Sequence, residues 1–182
     1  MPTIDMSVVI NRLDLDRLLE AVTPAAVLKV IGLRMWEFVD ESFKTRGRGG
    51  WRPLAASTLA LRQHGGDMPL QDSGDYRGSF VTETDNQTYA EVGTNKKTAA
   101  GISLGLIHEY GTRDFMIPKN GPSVKKHGLI AKTRSGTWIP FGREVHHPGI
   151  PARPALPTEK QAEDVLKPVV EGMLERARDG GN

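Results

Sequence analysis

From Thr23 onward the sequence reads as one long amphipathic helix. A capping hydroxyl, Thr23, precedes Pro24, whose missing N–H costs nothing at the first helical position. Val27, Leu28, Ile31, Met35, Phe38 and Val39 then recur at helical spacing. The pattern runs to about Lys44, roughly 30 Å at 1.5 Å per residue. Gly47 and Gly49-Gly50 end it. An apolar stripe with no polar interruption belongs against a core. Arg46, Arg48 and Arg52 crowd the loop beyond. They suit either an anionic partner or the negative end of the helix dipole, and the second needs nothing outside the chain.

The next stretch, Gly50 to Phe80, is an anchored loop. Trp51, Leu54 and Leu70 are large apolar side chains set among turn residues. A short helix capped by Ser57 is expected to Arg62. Residues 65–74 read as irregular, and Ser73-Gly74-Asp75 can cap a short turn before Phe80. Ser79 to Thr84 and Thr88 to Gly93 alternate as strands around the turn Asp85-Asn86-Gln87, so 79–93 reads as a hairpin. Ile102 to Tyr110 reads as a helical turn or a packed loop.

Towards the N-terminus, Ile4 to Ile10 suits a short strand or an arm, and Asp14 to Ala21 a short helix. Towards the C-terminus, residues 112–148 hold Phe115 to Ile117 and Leu129 to Lys132 as strand-like pieces. A turn at Thr133 to Gly136 leads into a second arm bearing Trp138 and Phe141. From Phe115 to Arg143 there are six basic residues, Lys119, Lys125, Lys126, Lys132, Arg134 and Arg143, and no acidic one. This protruding hairpin could face DNA, clasp an acidic neighbour, or carry charges that guard a solvated edge. Residues 149–157 form a proline-rich, extended connector. Thr158-Glu159-Lys160-Gln161 is then a capping box. It opens a helix that buries Val165, Leu166, Val169 and Met173, with a kink or restart expected at Pro168 and fraying from Arg176.

Together these elements predict an α+β fold. A long N-terminal helix and a C-terminal helix pack on a small, mostly antiparallel sheet built from 79–93 plus strands of 112–148. The 182 residues fit a single domain, 1–182. Hydrophobic residues make up 38%, with 20 Gly and 12 Pro, which allows a modest core and much loop. There is no cysteine, so disulfides, thiol catalysis and thiolate-bound zinc are excluded. A net charge of +2 does not by itself argue for nucleic acid. No apolar run approaches a membrane span, so no membrane partner is expected.

No catalytic constellation emerges. His108-Glu109 lacks the second histidine four residues on that a zinc protease helix needs; Thr112 stands there. A histidine in that setting is expected as a buried hydrogen-bonding residue. His146-His147 are adjacent on an extended segment and point to opposite sides, so they do not chelate one metal. Phosphate-binding, dinucleotide and nucleophile-elbow motifs are absent. No enzyme, cofactor or metal is expected.

Five pieces in order resemble a known family. They are Trp51-x-Pro53-Leu54; Leu70-x-x-Ser73-Gly74-x-Tyr76-Arg77-x-Ser79; Tyr89 to Thr94 ending in Gly-Thr; His108-x-x-Gly111; and Ile150-Pro151-Ala152-Arg153-Pro154-Ala155-Leu156. They resemble the phage virion morphogenesis family, the tail-completion proteins of Mu-like and P2-like tailed phages, across about residues 24–175. Ala155 stands where that family usually has Phe, and 112–148 is longer than the usual connection.

The resemblance implies a virion protein of the tail or neck, assembled in the host cytoplasm. It implies a ring, usually hexameric, that caps the tail tube and meets the head–tail connector. A ring of identical subunits needs two different patches on each. The candidates are the loops around Trp51 and Trp138, with Leu54, Leu70, Tyr76, Phe141 and Arg153. The basic residues above would face the channel or a partner, with DNA contacted on its backbone without sequence reading. A head-closure or head-morphogenesis protein and a small nucleic-acid-binding protein are the other readings.

Overall fold

The structure, a computed structural model, describes residues 6–9, 23–64, 66–117, 129–142 and 144–179. In chain order, β1 is Met6–Val9, α1 Pro24–Lys44, α2 Ala56–Leu61, β2 Val81–Thr84, β3 Ala90–Thr94 and α3 Leu104–Tyr110. They are followed by β4 Phe115–Ile117, β5 Leu129–Lys132, β6 Trp138–Gly142, β7 Val145–His147 and α4 Glu159–Asp179. A 3₁₀ turn, Arg77–Ser79, precedes β2. The fold is α+β.

The long helix α1 lies on an antiparallel sheet of order β1-β3-β2. Pairing runs Val8 to Val92 on one side of β3 and Thr82 to Val92 on the other. Gly32 faces the sheet, where a Cβ would make ordinary contact, 3.6 Å from Thr82 Cβ and 4.0 Å from that of Ala90. Val27, Leu28, Ile31, Met35, Val39 and Phe43 form the buried stripe. Phe43 continues the helical period one turn past Val39 and is fully buried. Helix α4 lays Ala162, Leu166 and Val170 on the same core at four-residue spacing. Burying several such side chains, at about 1.5–3 kcal/mol each, is what holds the layers together.

Several expectations need correction. Strand β1 completes the sheet, and the pieces of 112–148 do not join it. They form two separate two-stranded ladders, β4–β7 and β5–β6. The β5–β6 register, Lys132 to Trp138 across the turn, is that of the expected hairpin. Ser57 does not cap α2, whose N-cap is Ala55, without a side-chain bond. Nor does the Thr23 hydroxyl cap α1; only its carbonyl is engaged, by Ala26 and Val27 N–H. Helix α4 runs through Pro168 to Asp179 without a restart. Its capping box is reciprocal: Thr158 N–H donates to Gln161 Oε1 (2.9 Å), and Gln161 N–H to Thr158 Oγ1 (3.4 Å). The helix expected at Asp14 to Ala21 lies outside the described residues.

Candidate functional site

Four of the five sequence pieces converge on one junction beneath the end of α1; the other, Tyr89 to Thr94, holds strand β3. The chain leaves α1 through four consecutive positive-φ residues, Arg46 (55°), Gly47 (62°), Arg48 (57°) and Gly49 (80°). Two are non-glycine, at a cost of about 1–2 kcal/mol each. Their side chains offset it. Arg46 Nη2 donates to Asp67 Oδ2 (2.6 Å). Arg48 folds back over the Phe38 ring, 3.4 Å from its centroid, and donates to Ser42 Oγ (2.8 Å) and Phe38 O (2.9 Å). This left-handed turn throws Trp51 back under the helix.

There Phe43 stands at the centre of an aromatic cluster, edge-on to Trp51, Tyr76 and Phe80 at 5.5, 5.9 and 5.6 Å. Trp51 Nε1 donates to Pro154 O at 2.9 Å. The proline-rich connector is thereby a strap, and its backbone groups are claimed in turn. Thr112 N–H donates to Ile150 O (2.8 Å) and Arg153 N–H to His108 O (2.6 Å). Ala155 and Leu156 N–H both donate to Glu109 Oε1, at 2.7 and 3.0 Å. Ser42 Oγ donates to Ala155 O at 3.1 Å, and Ala155 is fully buried. Three prolines, Pro151, Pro154 and Pro157, leave the segment few donors of its own, so these bonds fix its path.

Polar groups around the strap are shielded from solvent. Arg153 is 6% exposed, and its guanidinium donates to the carbonyls of Arg52 and Pro53 rather than to a carboxylate. Burial lowers its pKa. Burial raises that of Glu109, against the pull of the two strap N–H bonds. The Tyr76 hydroxyl and His108 Nδ1 are buried without a hydrogen-bond partner, and their rings meet edge-on at 4.8 Å. His108 thus departs from the expected hydrogen-bonding role of its ring: its contribution is the main-chain carbonyl and ring packing.

Burial, and then the neighbouring Arg153 charge, push the His108 pKa down to about 4. A base whose folded pKa lies below its unfolded value stabilises fully above the unfolded pKa and loses that contribution as pH falls through the folded one. Between about pH 6.5 and 4 the wild type is therefore expected to lose about 2 kcal/mol relative to His108→Leu. Urea midpoints measured at both pH values for both proteins check this. Parallel pH dependences would show that His108 does not charge on unfolding. Comparing the two proteins removes the opposing titration of Glu109.

The interface candidates divide by position. Trp51, Tyr76 and Arg153 are 5–7% exposed and belong to the subunit interior, which corrects their assignment to an outer patch. Leu54 and Leu70 are half-buried, and Leu70 packs on the core. Trp138 and Phe141 are exposed, 51% and 38%. Lys132 and Arg134 are exposed on the same hairpin, with Lys132 Nζ 5.7 Å from the Trp138 ring centroid. The hairpin touches the body where Gln63 Nε2 donates to Lys132 O (2.8 Å). Lys119, Lys125, Lys126 and Arg143 lie outside the described residues. His146 and His147 separate as expected: one bonds Asp114 Oδ2 (3.0 Å), the other stacks on Phe115 (4.7 Å). Among the described residues no group of three potential metal ligands occurs.

The profile of the phage virion morphogenesis family matches residues 10–175. The chain belongs to this family. No curated protein and no solved structure matches it. Membership of the phage virion morphogenesis family makes this a virion-associated protein with a structural or assembly role, and it points away from an enzyme. The junction agrees with that reading: Trp51, His108, Gly111 and Arg153 are spent on holding the strap, and Tyr76 on packing against Phe43, Phe80 and His108. Arg77 ties its loop to α1: it donates to Asp40 Oδ1 through Nε at 2.9 Å, and Lys44 Nζ binds Asp40 Oδ2 at 2.7 Å. Burial opposes the Asp40 charge, but these bonds outweigh it and hold the carboxyl below the usual range.

Sequence reasoning missed Phe43, Ser42, Glu109 and Gly149 as members of this junction. Phe43 had a signal, its place one turn beyond Val39. The other three become junction residues only when the strap crosses α3 and α1.

Proposed function

We propose that this protein caps the phage tail tube as a closed ring, hexameric, and joins the tail to the head connector. The observation that carries the reading is the hairpin β5–β6. It is a two-stranded ribbon, marginal by itself in water. Trp138 is exposed on its second arm, and so is Phe141, the extra residue of a bulge where Ile130 pairs with Pro140 and Leu129 with Gly142. Exposed aromatic side chains on such a ribbon suit a segment completed by a neighbour. Phe115 and Met116 on β4 add further exposed apolar surface. The ring covers the last tube subunits, which stops their addition, and offers the connector a new face. Lys132 and Arg134 line the channel and meet DNA through phosphate alone.

Light scattering at low and high salt should give a mass of about six subunits. Trp138→Ser should leave the far-ultraviolet circular dichroism and the urea midpoint of the subunit within about 0.5 kcal/mol, as for other surface changes, while abolishing the ring. A ring of unchanged mass in Trp138→Ser removes the hairpin from the interface. Added to polymerising tube protein, the wild type should arrest growth; tubes that lengthen unchecked while the protein binds the head connector would favour the head-closure reading.

A further inference from the structure

We infer that the β5–β6 hairpin is closed to strand addition at both of its edges, on β6 by Pro140 and on β5 by Gln63, so that a neighbouring copy meets it through side chains and not through its backbone. The inference rests on the reading of the hairpin as a subunit contact and states which kind of contact it is.

A two-stranded ribbon has two edges, and an edge is a template for another strand. Which backbone groups point outward follows from the turn. Thr133 N–H donates to Thr137 O (2.8 Å) and Gly136 N–H to Thr133 O (3.0 Å), with Gly136 at φ +88°. This three-residue loop makes Thr133 and Thr137 a hydrogen-bonded pair. Bonded and non-bonded pairs alternate along an antiparallel ladder. Counting back from the turn, Lys132–Trp138 and Ile130–Pro140 are the non-bonded pairs, and Ala131–Ile139 between them is bonded. The main-chain groups of a non-bonded pair point away from the partner strand. The outward positions are therefore Ile130 and Lys132 on β5, and Trp138 and Pro140 on β6.

Proline stands at one of them. Pro140 takes no bond from the ribbon's own ladder there, and it denies an incoming strand a donor. Just beyond it the bulge between Leu129 and Ile130 shifts the register, so the β6 edge does not continue in phase. On β5 the outward carbonyl of Lys132 already accepts from Gln63 Nε2 at 2.8 Å. Gln63 is itself held. Its amide also donates to Leu61 O (2.8 Å), and its N–H to Asp72 Oδ2 (3.2 Å), while Asp72 Oδ1 takes His64 N–H (3.0 Å). The body of the subunit thus occupies the place where a strand would pair with β5. Lys132 and Arg134, both exposed, add charge at the same end.

With the edges closed, recognition falls to side chains. Trp138 and Phe141 are the large ones the ribbon exposes. The surface that fits them on a neighbouring copy is a cleft that takes an aromatic ring, not the edge of a sheet. Closure has a second consequence. Copies that carry exposed two-stranded ribbons would otherwise zip edge to edge without limit, and a contact made by side chains in a cleft has one register.

Reopening the edges tests this. Pro140→Val combined with Gln63→Ala returns an outward donor to β6 and frees an outward acceptor on β5. Both positions are exposed, and circular dichroism checks folding. In light scattering the doubly substituted protein should lower roughly 10-fold the concentration at which species heavier than the wild-type assembly appear, the effect of two recovered hydrogen bonds. Unchanged association would overturn the closure of the edges and leave the ring reading standing. A second comparison asks whether the wild-type contact uses β5. Ile130→Pro removes an outward N–H and no ladder bond, and Ile130→Ala removes only the side chain. The two should assemble within about 2-fold of each other. Assembly lost in Ile130→Pro and kept in Ile130→Ala would show a strand paired along β5 and overturn the inference. A wild type that stays monomeric at every soluble concentration would remove the ring reading and the side-chain contact with it, and the doubly substituted protein then decides the edge closure alone.

Discussion

Replacing Gly111 with alanine is expected to cost about 3 kcal/mol, a Tm loss of about 10 °C for a chain of this length. Two terms contribute. Gly111 has φ +72°, where a Cβ costs about 1 kcal/mol. A Cβ there would also lie 2.5 Å from Ile150 O and 2.8 Å from Ala152 N. Those atoms are backbone of the strap, held by Thr112 and Arg153 N–H, and they cannot swing away as a side chain would. Gly136→Ala separates the two terms. Its φ is +88°, but the nearest atom is the mobile Lys132 Cε at 3.9 Å, so it should cost only about 1 kcal/mol. Equal urea midpoints for the two variants would mean that the strap does not pack on Gly111. Gly149 is the mirror position, with Thr112 O 2.5 Å from a built Cβ. The two segments, 111–113 and 149–152, therefore pass each other with room for glycine at both crossings.

The helices were legible because their signals are local. The stripe from Val27 to Val39, the Pro at the start and the Thr158-Gln161 box each act within a few residues. The 79–93 hairpin was equally clear, since Asp85 accepts N–H bonds from Gln87, Thr88 and Tyr89 and closes its own turn. Sheet membership was not legible. Strand β1 pairs with β3 across more than eighty positions, and nothing in Met6–Val9 names that partner over the strands of 112–148. Burial of the motif residues was hidden for the same reason. Trp51 and Arg153 look like surface anchors in a loop and a proline-rich connector. They become interior only because the left-handed turn at 46–49 and the strap at 150–156 bring them together. Glu109 and Arg153 likewise bond backbone atoms that lie far away in the chain, which no local pattern announces.

The same geometry sets the second large effect. Trp51→Ala should cost about 4 kcal/mol, the usual range for emptying an aromatic core site, and Trp51→Phe about 1–2 kcal/mol. Phenylalanine keeps the edge-on contact with Phe43 but leaves the part-buried Pro154 O without its Nε1 donor at 2.9 Å. Gly47 makes the effect diagnostic. Its built Cβ would lie 2.3 Å from Trp51 Cδ1 and Nε1, so Gly47→Ala strikes the indole as well as straining φ +62°. In the wild-type background that substitution should cost about 3 kcal/mol, and in Trp51→Ala only the backbone term of about 1 kcal/mol, because the ring is gone. A double-mutant cycle read by urea denaturation thus expects a coupling of about 2 kcal/mol between positions 47 and 51. Additive effects would mean that the turn and the indole do not touch, and that the tryptophan reaches the strap by some other route. A coupling of the expected size would tie the left-handed exit from α1 to the strap, which places the first and last of the five sequence pieces in one cooperative unit.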